Sequence, residues 1–328
     1  MQFSGFSVTD HYPNEPRTIR DFYGEILDEI VLAERLGFRN YFVAEHHFHE
    51  YGVVSSPTTL LAAAAGRTTT IGLGVAVSVL PFHNPLVVAQ DYAMLDQLSD
   101  GRLAMGVGSG YLKHEFDGFN LGPWEKRARF DEAIEIIERA WTGEPFSYHG
   151  LYHHVQNTRI AITPIQQPPP TWVAVIRPEA AYYVGRQGRN LMLIPYATAS
   201  TMDELRQTVQ EYQRGRQEAG HEGPADVAAA LHTYVGVNDA SARAEAEPAL
   251  DRYVDTRLYS RSKRRFDDLN AAELILIGGP ETVAKRVMAL ADVGVNHLML
   301  LGNFGAMNAK RCTESLERFA ADVAPATL

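Results

Sequence analysis

The feature that most constrains this fold is an alternation of short, almost wholly apolar runs with longer segments whose apolar residues fall at helical spacing. Thr70–Leu80 (TIGLGVAVSVL) is the clearest run. Continuous apolarity suits a strand covered on both faces, as strands of parallel sheets are. Gln2–Val8, Asn40–Ala44, Arg102–Gly108, Thr171–Ile176, Leu191–Pro195, Val227–Val237 and His297–Leu301 read the same way. Between them lie helical patterns. Arg20–Gly37 places Phe22, Ile26, Ile30 and Ala33 on one face and stops at glycine. Ser56-Pro57 and Asn84-Pro85 each open a helix with proline in its first turn. Glu125–Trp141, Glu179–Gly188, Met202–Ala219, Ala240–Tyr259, Glu281–Val293 and a closing segment to Val323 continue the series. Eight strand–helix repeats within 328 residues, with no linker-like composition between them, predict an α/β fold. The expected form is a single (β/α)8 TIM barrel spanning 1–328 as one domain. Two stretches break the rhythm and read as short insertions: a hairpin at 146–162 and an irregular charged segment at 260–272.

Composition narrows the function classes. A formal charge of −10 argues against a nucleic-acid surface, which needs clustered lysine and arginine. Cys312 is the only cysteine, so intrachain disulfides and thiolate metal sites are excluded. No basic segment followed by an apolar core opens the chain, and no apolar stretch reaches bilayer length, so a cytoplasmic protein is expected, without a membrane partner.

In such a barrel the chemistry sits at the C-terminal ends of the strands, and the unusual residues of this chain fall there. AEHHFHEYG (Ala44–Gly52) follows the second strand, Pro81-Phe82-His83-Asn84 the third, Gly106–Tyr111 the fourth and Arg177-Pro178-Glu179 the fifth. The histidine cluster first suggests a metal. A barrel metal site gathers three or more ligands from several strands, and His83 is the only other strand-end histidine. No metal is therefore expected. His49 and Glu50 read as a solvated loop, whereas Glu45, His46 and His47 continue the strand into the mouth. Alternate glycines at Gly106, Gly108 and Gly110 allow close backbone approach to a flat or anionic ligand. Arg177, just ahead of a helix that starts at Pro178, is a phosphate candidate, because a guanidinium and a helix N-terminus converge there.

With these residues in place, the chain resembles the bacterial luciferase-like flavin-dependent monooxygenases over most of its length. The resemblance rests on Glu45-His46-His47-Phe48 with Glu50-Tyr51-Gly52, and on Val79-Leu80-Pro81 with Asn84-Pro85. It rests also on Leu95–Arg102 (LDQLSDGR) leading to Gly110-Tyr111, and on Gly279-Pro280-Glu281-Thr282 with Gly294–His297. It implies a barrel that binds reduced FMN at its mouth, reacts it with dioxygen, and uses the resulting C4a-hydroperoxyflavin to oxygenate an organic substrate. A separate flavin reductase would supply the reduced FMN. Carried over by position, His46 is the catalytic histidine and Glu45 its neighbour at the cofactor. Ala76-Val77 falls where luciferases place a non-prolyl cis peptide under the flavin ring. Gly108, Ser109 and Tyr111 line the flavin, and Ile176, Arg177 and Pro178 take the phosphate. The chain departs from the luciferases at Gly108 and Ser109, where they carry cysteine and arginine, and at Ile176-Arg177, where they carry Glu-Ser. The alternatives are a deazaflavin-dependent hydride-transfer enzyme on the same barrel and a non-catalytic flavin-binding partner subunit. Segment 260–272 falls where luciferases carry a mobile lid.

Two further expectations concern the surroundings. The loops over the mouth supply Phe6, Phe48, Phe82 and Phe116, which predicts a mostly apolar pocket for a neutral, apolar or aromatic small molecule. The helices at 57–67 and 85–98 are apolar on more than one face, which, with the pairing seen in luciferases, predicts a homodimer.

Overall fold

The computed structural model describes residues 1–256 and 263–327. Eight parallel strands close on themselves: β1 (Gln2–Ser7), β2 (Asn40–Val43), β3 (Gly72–Val79), β4 (Leu103–Gly108), β5 (Thr171–Ala174), β6 (Asn190–Leu193), β7 (Val227–Val235) and β8 (His297–Leu301). Each pairs with the next, and β8 returns to β1 with Gln2 opposite His297 and Phe6 opposite Leu301. This is the expected TIM barrel. Its interior is filled by side chains of unequal size on neighbouring strands. Phe42 of β2 occupies the space opposite Gly74 of β3, where any Cβ would lie 2.2 Å from the ring, and it meets Trp172 of β5 edge to face at 5.9 Å. At the N-terminal end, buried His297 is fixed by Ser4 Oγ (2.7 Å) and Asp226 Oδ1 (3.0 Å). That histidine belongs to the floor, far from the chemistry.

The helices of the first half are set by local signals. Thr18 caps α1 (Ile19–Arg35) by accepting from the Asp21 amide. Pro57 opens α2 (Pro57–Ala65), and Asn84 caps α3 (Pro85–Leu98) ahead of Pro85. The loop after β4 contains a short helix, α4 (Lys113–Gly118), which its glycines and aromatics did not signal. α5 (Lys126–Trp141) and α6 (Pro178–Arg186) follow as expected.

Several boundaries move. β5 and β6 stop two residues early, and Pro195 starts a single helical turn at Pro195–Thr198. An additional strand, Leu276–Gly278, lies outside the eight repeats. It takes over the edge of β7 at Thr233, one residue beyond His232, where the pairing with β8 ends. The hairpin insertion is present as Phe146–His149 and His154–Thr158, paired antiparallel. Of the irregular segment 260–272, residues 260–262 lie outside the described residues, as does the end of the helix expected to reach Tyr259; Phe266–Ala271 forms a helix. No helix among the described residues is long and apolar enough to cross a membrane.

Candidate active site

A cavity of about 530 Å³ opens at the C-terminal mouth, lined from the ends of β1 to β8 and from α5 and α6. It brings together His46, Glu45, Ala76, Val77, Gly108, Ser109, Tyr111, Ile176 and Arg177, as well as Phe6. Ala76 and Val77 are joined by a cis peptide bond. Gly108 packs so closely on Val77 that a Cβ would lie 2.6 Å from its Cγ2, so a cysteine there requires that side chain to move. Pro178 is not in the lining; as the first residue of α6 it stands behind Arg177.

His46 is the first imidazole past β2. Its amide donates to Val54 O (3.1 Å), folding the loop back on itself. Its ring lies against Tyr51, centroids 4.8 Å apart, and Gly52 leaves it room, since a Cβ there would sit 2.6 Å from the His46 Cβ. His46 Nδ1 is 3.0 Å from Glu115 Oε1, with the imidazole side chain only 11% exposed. The same Glu115 oxygen accepts the His47 amide at 3.0 Å.

Glu45 points the other way, into a buried cluster. Its carboxylate accepts from His47 Nε2 (3.0 Å), His83 Nε2 (2.7 Å) and the Val79 amide (3.2 Å), tying the end of β2 to the end of β3. Burial by itself raises this carboxyl, but the hydrogen bonds and charges of the two imidazoles outweigh it and hold the pKa at about 2. His83 is shifted upward: burial opposes its charge, and Glu45 more than compensates. These three side chains place ligand atoms within 4.8 Å of one another, a size a metal ion could use. The same atoms are satisfied as hydrogen bonds without one. His49 accepts the Tyr51 amide on its Nδ1 (3.0 Å) and stays outside the cavity, in the loop.

The part of the lining supplied by α5 and the start of α6 is cationic. Arg177 caps α6, and Lys126 and Arg127 open α5. Lys126 is half-buried with its Nζ 3.3 Å from Gly110 O; burial lowers its pKa, and the Arg177 charge adds to that. Arg127 pairs with Asp131 (2.8 Å). Arg177 was legible from sequence. Lys126 and Arg127 were not, although a Lys-Arg pair in the first turn of a helix, where the macrodipole disfavours cations, was an available signal.

The aromatic expectation needs correcting. Phe6 lines the cavity, but Phe48, Phe82 and Phe116 do not. Phe82 stacks on Phe119 (4.8 Å, 23°) and meets Phe116 edge-on at 5.0 Å, while Phe48 rests on Phe119 at 5.0 Å with 62% of its surface exposed. These rings pack on one another and pin α4 beside the mouth. The apolar wall comes from the strand ends instead: Val8, Val79, Val173, Val175, Met192, Ile194 and Met299. Tyr51, Tyr111 and Tyr196 complete it. Tyr51 and Tyr196, both in the lining, are joined through Tyr253, with hydroxyl distances of 2.7 and 3.0 Å. Nothing in the local sequence placed these hydroxyls together.

Comparison with known proteins identifies the family and the fold. The model of the luciferase-like monooxygenase family matches residues 1–297. The crystal structure of the monooxygenase RslO1 from Streptomyces bottropensis is 30% identical and superposes with a TM-score of 0.92 over 99% of each chain. The oxygenase component of the flavin-dependent trigonelline monooxygenase of Acinetobacter baylyi is 24% identical over 99% of this chain and 95% of its own. The F420-dependent glucose-6-phosphate dehydrogenase of Intrasporangium calvum is 28% identical over 92% of this chain and 94% of its own. A family match running from residue 1 to residue 297, on a barrel whose mouth is built in this way, means that the chain belongs to the luciferase-like monooxygenases and is a flavin-dependent oxidoreductase.

Proposed function

We propose that the protein is the oxygenase of a two-component system, using reduced FMN and dioxygen to oxygenate a small, neutral, mostly apolar molecule. The observation that carries this reading is the make-up of the cavity lining: a histidine, a set of apolar strand-end side chains, and three cations. The donor set fits FMN. Arg177, Lys126 and Arg127 would hold the phosphate, and Ala76, Val77, Gly108 and Ser109 would face the ring, where small side chains leave space for a flat group. When bound, reduced FMN supplies the electrons that activate dioxygen. The protein's own contribution is to orient, to exclude water and to move a proton. His46, whose imidazole lies on the cavity wall, is the group that can give and take that proton. The apolar wall keeps water from the reacting centre and selects a neutral substrate over a polyanion.

The name of the trigonelline relative, an oxygenase component, supports a separate flavin reductase as partner. A homodimer is proposed through α3, whose Val87, Met94 and Leu98 are exposed along one side. Light scattering at micromolar concentration should give twice the 36.4 kDa chain mass, and a monomer overturns the pairing. One cytoplasmic barrel then carries the whole site. The second reading, hydride transfer with a deazaflavin, is favoured by the full-length likeness to an F420-dependent dehydrogenase. Anaerobic titration with each reduced cofactor, followed by labelled dioxygen, separates the two. The proposal expects tight FMN binding and label in the product. Turnover with the deazaflavin alone, without incorporation of label, overturns it.

A further inference from the structure

Among the buried acids, Glu115 is the one that touches the reacting wall without being explained by packing. α4 buries only Glu115 and Phe116, and burying a carboxylate is costly unless donors meet it. Two donors do, both from the segment that carries His46: the His46 ring through Nδ1 and the His47 amide, each 3.0 Å from the same Oε1. The adjacent His114 Nε2 donates to the His47 carbonyl at 3.0 Å. α4 therefore clasps the His47 peptide from both sides and holds the His46 ring at the same time. The stacked phenylalanines keep α4 in place behind this clasp.

We propose that Glu115 is a positioning residue for His46, fixing its tautomer and the orientation of its ring. This deepens the reading of His46 as the proton-transfer group and rests on it. An ionised carboxylate only accepts, so Nδ1 must carry a proton. In the neutral ring Nε2 is then bare, and it is the nitrogen left for the cavity. When Nε2 takes up a proton, the carboxylate stabilises the resulting cation, as carboxylates behind functional histidines generally do. The other titratable groups around His46 are Tyr51 across its face, Glu45 and His47 on either side in the chain, and Tyr111, Tyr196, Lys126, Arg127 and Arg177 lining the same cavity.

The test uses the full-length protein and Glu115→Gln, which keeps an acceptor for both N–H groups but removes the charge. Nitrogen-15 NMR of histidine-labelled protein, with the His46 signals assigned by their loss in His46→Gln, should show protonated Nδ1 and bare Nε2 in the native chain. In Glu115→Gln the His46 titration and the acidic limb of kcat should both move to lower pH. Turnover should fall about 10–100-fold, the usual cost of losing such a supporting carboxylate, with KM and FMN affinity changing less than about threefold. A protonated Nε2 in the native protein, or an unmoved His46 titration in Glu115→Gln, overturns the proposal. The NMR readout does not depend on turnover. If the tautomer and titration behave as expected while His46→Ala retains full activity, the positioning stands and the role of His46 in catalysis is what fails.

Discussion

Two parts of the cavity lining solve opposite electrostatic problems. On the β2–β3 side every buried charge has a partner: Glu45 between His47 and His83, Glu115 against His46 and the His47 amide. On the β4–β5 side, Arg177 and Lys126 have no carboxylate partner among the described residues, and the arginine's charge helps to lower the pKa of the lysine. A wall whose charges are already paired gains nothing by binding an ion and is suited to shifting protons within fixed hydrogen bonds. A cluster of like charges is stabilised only when an anion arrives. On the function proposed above, the difference would divide the work: proton transfer at the paired wall, anchoring of a phosphate at the cationic one.

The strongest way to break this division is His46→Ala. Removing a positioned acid–base group should lower turnover on the order of 10²–10⁴-fold. Folding and FMN affinity should stay near native, because the FMN phosphate would be held by the cationic residues. Thermal denaturation, FMN titration and steady-state turnover on the same preparation check all three. Full turnover in the variant would leave the histidine a packing residue against Tyr51 and Gly52.

How much of this was legible in the sequence follows from the range of the signals. The barrel was, because buried parallel strands declare themselves as apolar runs and proline and asparagine mark the helix starts. His46 and Arg177 were, because they follow strand ends, where position in the repeat already fixes which way they face; Ala76-Val77, inside β3, was singled out only by the resemblance to the luciferases. Glu115 was not. It lies 69 residues from His46, on a helix too short to show a period. Phe48, Phe82 and Phe116 misled for a related reason: aromatic content is visible in a loop, whereas the direction of each ring is decided by its neighbours. Lys126 and Arg127 are cations where the helix dipole disfavours them, but the sequence gives that placement no purpose until the chain after β5 brings Arg177 beside Lys126.

A second test compares two buried carboxyls. Glu45 has imidazole partners and is held at about 2. Glu29 has only neutral donors, Tyr41 Oη (2.9 Å) and Asn303 Nδ2 (3.1 Å), and burial pushes it up to about 7. The signs are opposite. The contribution of Glu45 is fully present above the unfolded value of 4.5 and is lost as the pH falls towards 2. That of Glu29 is present below 4.5 and is lost as the pH rises through 7. Each swing is on the order of 3 kcal/mol. Denaturant unfolding across the range should show Glu45→Gln flattening the acid limb and Glu29→Gln flattening the neutral one. If Glu45→Gln leaves the acid limb unchanged, the imidazoles are not paired with it in solution.

The smallest expected effect is the most specific. If the cationic part of the lining reads a phosphate, Arg177→Ala should weaken FMN about 10–100-fold, the worth of a hydrogen bond to a charged group. Riboflavin, which carries the same ring without the phosphate, should change by less than about threefold. Lys126→Ala should act in the same direction but more weakly, since its Nζ is already engaged with the Gly110 carbonyl. Raising the salt concentration should narrow the gap between FMN and riboflavin in the native protein, because exposed charges such as Arg177 are screened. The gap should nearly vanish in the double variant. Equal weakening of both ligands by Arg177→Ala would mean that this arginine shapes the pocket or contacts the substrate. The phosphate would then have to be held by Lys126 and Arg127 alone.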